Sequence, residues 1–195
     1  MHISKAIKKQ KKSYRWFLAS MMFLLIAFPI VVFLLGKTTL FYMSYLIFLE
    51  MVIVISIFIV INVNTIDFQC VNNKLKISTG ILKKKNVILC DKVILVHTEG
   101  KHENMEIIIV TTLKIRNKFI RPITKSFFKK YPYAASEYKK IKLIKPEEIY
   151  YFTIIKSGGL RKYQLLDLIY KNCVKAVYTD LSIENIKIAR GQMEI

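Results

Sequence analysis

Two apolar runs near the start of this chain limit its fold more than any other feature. From Trp16 to Leu35 (WFLASMMFLLIAFPIVVFLL) there is no charged residue, and from Leu40 to Ile61 Glu50 is the only one. Each run is long enough to cross a hydrocarbon core of about 30 Å as a helix. The GKTT between them leaves room only for a tight turn, so residues 16–62 are predicted to form a helical hairpin with spans 16–35 and 40–61. A secretory signal peptide would have a shorter apolar core and a small-residue cleavage site, and a second span would not follow it directly.

The lysines orient the hairpin. Lys5, Lys8, Lys9, Lys11, Lys12 and Arg15 precede the first run, and Lys74, Lys76, Lys83, Lys84 and Lys85 follow the second, against Lys37 alone in the turn. Positive charge stays on the cytoplasmic side. The expectation is a multi-pass protein of the cell membrane with both termini cytoplasmic, residues 1–15 forming a basic cytoplasmic segment. Tyr14 and Trp16 then fall at the inner interface and Tyr42 and Tyr45 near the outer one, where amphipathic rings are favoured. Pro29 inside the first span is tolerated in a membrane helix. The formal net charge of +19 suits an anionic partner: a phospholipid surface, nucleic acid or an acidic protein.

Glu50 is the exception within the second run. Central Leu, Ile, Val and Phe residues favour insertion by about 0.3–0.6 kcal/mol each, and together they outweigh roughly 3 kcal/mol for one acid. Folding the hairpin about residues 37 and 38 sets Glu50 opposite Leu25 and brings Ser20 near the depth of Ser56. A Ser20–Ser56 hydroxyl contact is therefore expected, while Glu50 finds no partner within the chain. Three readings of Glu50 stand: a protonated passenger, a helix–helix contact with another chain, or part of an ion or proton path.

After Asn62 the pattern changes. In NKLKIST (73–79) Leu75 and Ile77 alternate with Lys74, Lys76 and Ser78, as in a half-buried strand, and Gly80 closes it. NVILC (86–90), KVILVHT (92–98), MEIIIVTTL (105–113) and IYYFTII (149–155) read as further strands, with a short first one at 67–70. The polar EGKHEN (99–104) joins antiparallel neighbours. Helical periodicity resumes over 160–174 and 181–190, the second with Asp180 as N-cap, Ile183, Ile186 and Ala189 buried, and Gly191 as its stop. The fold class is α+β: a transmembrane hairpin followed by an antiparallel β domain over 63–195 with C-terminal helices.

Two spans followed by FQCVNNKLKISTGILKKKNVILCDKVILVHTEG resemble the start of the bacterial pleckstrin-homology-like domains of small firmicute membrane proteins. The matching parts are Leu75, Ile77, Gly80, Val87 to Leu89 and Lys92 to Val96. The resemblance covers residues 60–120, with a later strand and helix at 149–174. It implies a membrane-tethered β-barrel capped by a C-terminal helix, acting by binding rather than chemistry; some relatives are associated with membrane stress or bacteriocin resistance. Residues 121–148, basic, aromatic and with three prolines, depart from the pattern as an insertion, and helix 181–190 is an addition.

Two stretches qualify as binding sites. In the insertion, Arg121, Lys125, Lys129, Lys130, Lys139 and Lys140 interleave with Phe127 and Phe128. Such a surface suits an anionic leaflet, or else its rings enter a core while its lysines are solvated. In KSGGLRK (156–162), Gly158 and Gly159 let amides approach an anion at a helix start, assisted by Lys156, Arg161 and Lys162; a plain strand-to-helix turn is the alternative. Basic and aromatic surfaces also suit single-stranded nucleic acid, but no such motif accompanies them, and nucleic acid is not the expected partner. His97 and His102 stand alone, no nucleophile motif is present, and no catalytic residue, metal or cofactor is expected. Cys70, Cys90 and Cys173, without a CxxC pair, read as reduced structural thiols of a cytosolic compartment. The resulting expectation is a non-catalytic binding or scaffold protein docking membrane lipid headgroups or a partner protein. The competing class is an accessory subunit of a membrane assembly, in which Glu50 contacts another subunit or a second copy.

Overall fold

The computed structural model of the chain describes residues 2–36, 39–82, 84–113 and 120–194, so Lys37 in the turn, Lys83 and the link 114–119 lie outside the described residues. Helix α1 (Ile3–Leu34) begins well before the apolar run. Its early residues are mostly Lys, Gln, Ala and Ile, with no Gly or Pro before Pro29, so nothing breaks the helix between the lysines and the apolar stretch. Residues 1–15, set apart from the sequence as a basic segment, are therefore mostly the opening turns of α1. Ile3, Ala6, Ile7 and Gln10 recur at helical spacing on one face; Ile3 and Ala6 are buried in the globular core and Ile7 packs against it.

Helix α2 (Leu40–Asn64) returns alongside α1, with Leu46 and Ile53 buried between them. Both helices are long and apolar enough to cross a membrane. Their most apolar stretches are almost entirely exposed, so neither forms part of the core of this globule. Phe23, Leu34, Phe41, Phe48 and Phe58 instead point outward, an apolar surface far larger than a monomer exposes to water.

Three strands, β1 (Ile66–Val71), β2 (Lys74–Thr79) and β3 (Lys84–Leu89), form an antiparallel meander. Asn72 and Asn73, both at positive φ, make the two-residue turn between β1 and β2. Gly80, also at positive φ, donates its N–H to Thr65 O and leaves no room for a side chain beside Asn62, fastening the meander to the end of α2. A second sheet has the order β6 (Arg121–Pro122), β7 (Tyr151–Ile155), β5 (Glu106–Thr111), β4 (Val93–Glu99), β8 (Val177–Tyr178). The sheets are antiparallel as expected, except that the short β8 pairs β4 in parallel.

Two cores divide around the five-stranded sheet. Leu75, Ile77 and Ile88 of the meander face Val96, Ile107, Ile109 and Ile155, and this space is closed by α5 (Arg161–Asn172), α6 (Asp180–Ala189) and the start of α1. On the other face, Leu95, Ile108, Val110 and Phe152 meet α3 (Lys125–Lys130) and α4 (Pro132–Ile144). Burial on both faces explains why Ile107–Val110 is an unbroken apolar run, while β2, wet on one face, alternates.

Of the two readings of residues 121–148, the structure has the one in which the rings enter a core while the lysines stay outside. Phe127 lies 4.7 Å from Phe152 between ring centroids, and Tyr131, Ala134, Ala135 and Tyr138 complete that core. The cap of α6 is Thr179 rather than Asp180, its hydroxyl accepting from Ser182 N–H, and Ile183 is exposed. Ile186 is buried as expected, but the inward stripe of α6 is otherwise polar: Ser182 donates to Val96 O and Asn185 to Thr98 Oγ1.

Candidate functional site: a basic cleft under the helical hairpin

The turn after β7 already has partners for its amides. Gly158 N–H donates to Val63 O at 2.7 Å, and Leu160 N–H to Gln10 Oε1 of α1 at 3.0 Å. Gly159, at positive φ, lies so close to the Gln10 side chain that a Cβ would overlap it. A Cβ on Gly158 would overlap Ile66 of β1, so the two glycines admit Ile66 and Gln10 rather than an anion.

The cations of 156–162 divide accordingly. Lys162 is 1% exposed and donates to the carbonyls of Glu103 and Lys156, both at 2.8 Å. Burial pushes its pKa down to about 8. Lys156 pairs with Glu106 Oε1 at 2.8 Å. The expected anion cradle of Lys156, Gly158, Gly159 and Lys162 is therefore replaced by internal contacts, because a chain segment distant in sequence takes the donors first.

Arg161 is the exception. Its contact to Asp67 is long, 3.8 Å, and its guanidinium lies 5.8 Å from the Phe68 ring centroid. It lines a cleft of about 490 Å³ between α1, the end of α2 and the start of α5, together with Lys8, Lys11, Tyr14, Asn64 and Gln164. Among the described residues no carboxylate lines this cleft. Arg161 also borders a shallower hollow of about 460 Å³ on the outer face of the meander, where Lys76 and Lys85 stand with Asp67. The sequence displayed Lys8 and Lys11 only as members of a lysine run. The signal that locates them is the stripe Ile3, Ala6, Ile7, Gln10, whose spacing seats that run on the globule.

The basic residues of 121–148 point outward on the opposite face of the five-stranded sheet. Arg121, Lys125, Lys129, Lys130, Lys139 and Lys140 are exposed. Lys140 pairs with Glu137 at 2.6 Å, Lys139 lies over Phe128 and Lys130 over Tyr131. Phe127 is buried and Phe128 half-buried, so Phe127 is not available to a headgroup layer. In the hairpin, the Ser56 hydroxyl donates to Val52 O of its own helix at 2.8 Å instead of meeting Ser20, which is exposed. Glu50 is half-buried on the flank of the stripe that carries Leu46 and Ile53, and no described residue bonds to it.

Groups that the sequence left scattered meet in the fold. Cys70 and Cys90 Sγ are 3.9 Å apart and Cys173 is within reach of Cys90. Burial pushes the Cys70 thiol up to about 11 and that of Cys90 up to about 12, leaving both poorly nucleophilic. Glu99 and Glu106 stand directly opposite each other on β4 and β5. Burial raises the pKa of Glu99, with the Glu106 charge adding to it. For Glu106 burial also acts upward, but hydrogen bonds from Lys156 and Tyr131 outweigh it and hold the carboxyl low. His97 shares a hydrogen bond with Thr179 Oγ1 at 3.0 Å beside a cavity of about 690 Å³ between α4 and α6, and burial lowers its pKa. Among the described residues no group of three or more His, Cys, Asp or Glu is placed to hold a metal ion.

Comparison of the chain with known protein families, with curated proteins and with solved structures finds no match.

Proposed function

We propose that the chain is a membrane-anchored, non-catalytic binding protein. Its hairpin crosses the cell membrane with both termini in the cytoplasm, and its globule docks anionic lipid headgroups at the inner face. One observation carries this reading: α1 is a single helix, with Ile3 and Ala6 in the globular core and its other end in an exposed apolar run. A helix shared between both parts sets the globule's orientation under the span, unlike a flexible tether. Each Lys or Arg held near an anionic leaflet then adds about 1 kcal/mol of attraction. Two sheets, antiparallel but for the short β8, packed face to face and closed by α5 support the pleckstrin-homology-like reading of the domain. Protease added to intact spheroplasts tests the arrangement: the globule is spared, whereas inverted vesicles lose it. Digestion from outside refutes it.

A second reading has its own support. Glu50, half-buried and without a partner among the described residues, fits a contact with another chain in a membrane assembly. In that case Glu50→Gln preserves the oligomer seen in detergent and Glu50→Leu dissolves it; identical profiles for wild type and Glu50→Leu count against a homo-oligomer built on this residue.

A further inference from the structure

We propose that the cleft between α1, α2 and α5 is a binding site for the phosphate of one acidic phospholipid, held by Lys8, Lys11 and Arg161. The proposal rests on the reading that the hairpin crosses the membrane.

Three features give the cleft this chemistry. Its charged lining is wholly cationic, and neither Lys8 nor Lys11 has an ion-pair partner among the described residues. Arg161 has only a long contact to Asp67 and a ring contact to Phe68, neither of which takes up its N–H fork, so that fork remains able to take a phosphate oxygen pair. Tyr14, Asn64 and Gln164 add neutral hydrogen-bonding groups of the kind that match phosphate and glycerol oxygens. At about 490 Å³ the cleft is within the size range of small-molecule sites.

Position selects a lipid over a soluble phosphate. Tyr14 lies two residues before Trp16, where the first apolar run begins, and Asn64 and Thr65 follow the end of the second at Ile61. The upper rim of the cleft is therefore at the level where acyl chains give way to headgroups, with Lys11 and Lys8 one and two turns further into the aqueous side. A phosphodiester entering from the leaflet reaches the cations without leaving its bilayer. The glycines give the arrangement its fixed geometry: Gly158 makes room for Ile66 at the start of β1 while its N–H bonds Val63 O at the end of α2, and Gly159 makes room for Gln10, which sets Arg161 beside Lys8 and Lys11.

The experiment uses the full chain in nanodiscs of equal parts phosphatidylcholine and phosphatidylglycerol, with native mass spectrometry of the lipid retained on extraction. Wild type retains phosphatidylglycerol in preference to phosphatidylcholine. The preference falls about fivefold in Lys11→Gln and about a hundredfold in the triple variant Lys8→Gln/Lys11→Gln/Arg161→Gln. All three side chains are exposed, so the thermal midpoint stays that of wild type and confirms folding. A second triple, Lys129→Gln/Lys139→Gln/Lys140→Gln, removes the same charge from the far face of the sheet and keeps the preference. Equal loss in both triples means diffuse attraction and overturns the site, as does incorporation of wild type without enrichment. Glycerol 3-phosphate that binds the chain in phosphatidylcholine discs and displaces phosphatidylglycerol overturns the lipid as its occupant. A chain that fails to enter nanodiscs at all overturns the membrane reading together with the site.

Discussion

Residues 3–15 and 121–148 look alike as text, lysines strewn among apolar and aromatic side chains, yet the fold treats them differently. In the first, Ile3, Ala6 and Ile7 occupy one narrow helical face, so the helix docks by that stripe and leaves Lys8 and Lys11 around a cleft at the foot of the hairpin. In the second, Phe127, Tyr131, Ala134 and Tyr138 form a whole core against β4, β5 and β7, and the lysines are left as a solvated skin, several of them paired or lying over rings. What a basic segment does is set by how much apolar surface it must bury and on which side of the sheet it buries it. Charge count alone does not distinguish the two.

The comparison breaks first at Phe127. If 121–148 is a core segment, Phe127→Ala, which removes a ring packed against Phe128, Tyr131, Tyr138 and Phe152, lowers unfolding stability by about 3–5 kcal/mol in a denaturant titration. A membrane-docking ring would cost nothing there.

Next in size is the seam between α1 and the globule. Gly159→Ala places a side chain at positive φ into Gln10 and destabilises by about 1–3 kcal/mol, with protease cleavage opening among residues 3–14. A change in stability without new cleavage would mean that the glycine matters only to its own turn.

Lys162 sharpens the contrast from inside the core. Lys162→Met leaves the carbonyls of Glu103 and Lys156 without their donor and costs about 1–3 kcal/mol at neutral pH. The pH dependence has a definite sign. With its pKa pushed down to about 8, the folded lysine sheds its proton before the unfolded one does, so its penalty is full below pH 8 and fades toward pH 10.5. The thiols run the other way: raised to about 11 and 12, Cys70 and Cys90 stay protonated after unfolded thiols have ionised. Their contribution is intact below about pH 8.5 and is lost as pH rises toward the folded values. Melting curves from pH 7 to 11 for wild type, Lys162→Met and Cys90→Ala separate the two slopes.

The smallest effect belongs to the skin. Lys140→Gln removes an exposed pair with Glu137 and shifts stability by less than about 0.5 kcal/mol.

Local periodicity carried most of the elements. The two apolar runs, the alternation of Leu75 and Ile77, the apolar MEIIIV strand and the helices at 161–172 and 180–189 are each visible within a few residues of sequence. Helices α3 and α4 go unread within the 121–148 insertion, where the lysines stand out more than the spacing of Phe127, Tyr131, Ala134 and Tyr138; the other features missed depend on distant partners. Gln10 meets Leu160 across the chain, Cys70, Cys90 and Cys173 converge from three elements, and Glu99 faces Glu106 only once the register of β4 and β5 is fixed. The same limit explains the turn at 156–162: its glycines read as open to an anion because nothing local shows that α1 and α2 fill the space. For α6 the misleading assumption was that an inward face must be apolar, whereas Ser182 and Asn185 bond β4 directly.

Amide hydrogen exchange on the full chain in nanodiscs tests the shared helix most directly. Residues 3–14 should exchange as slowly as α5, because their face is buried in the same core. Exchange over 3–14 at the rate of an unstructured tail, with α5 still protected, would contradict a helix running unbroken from the globule into the span.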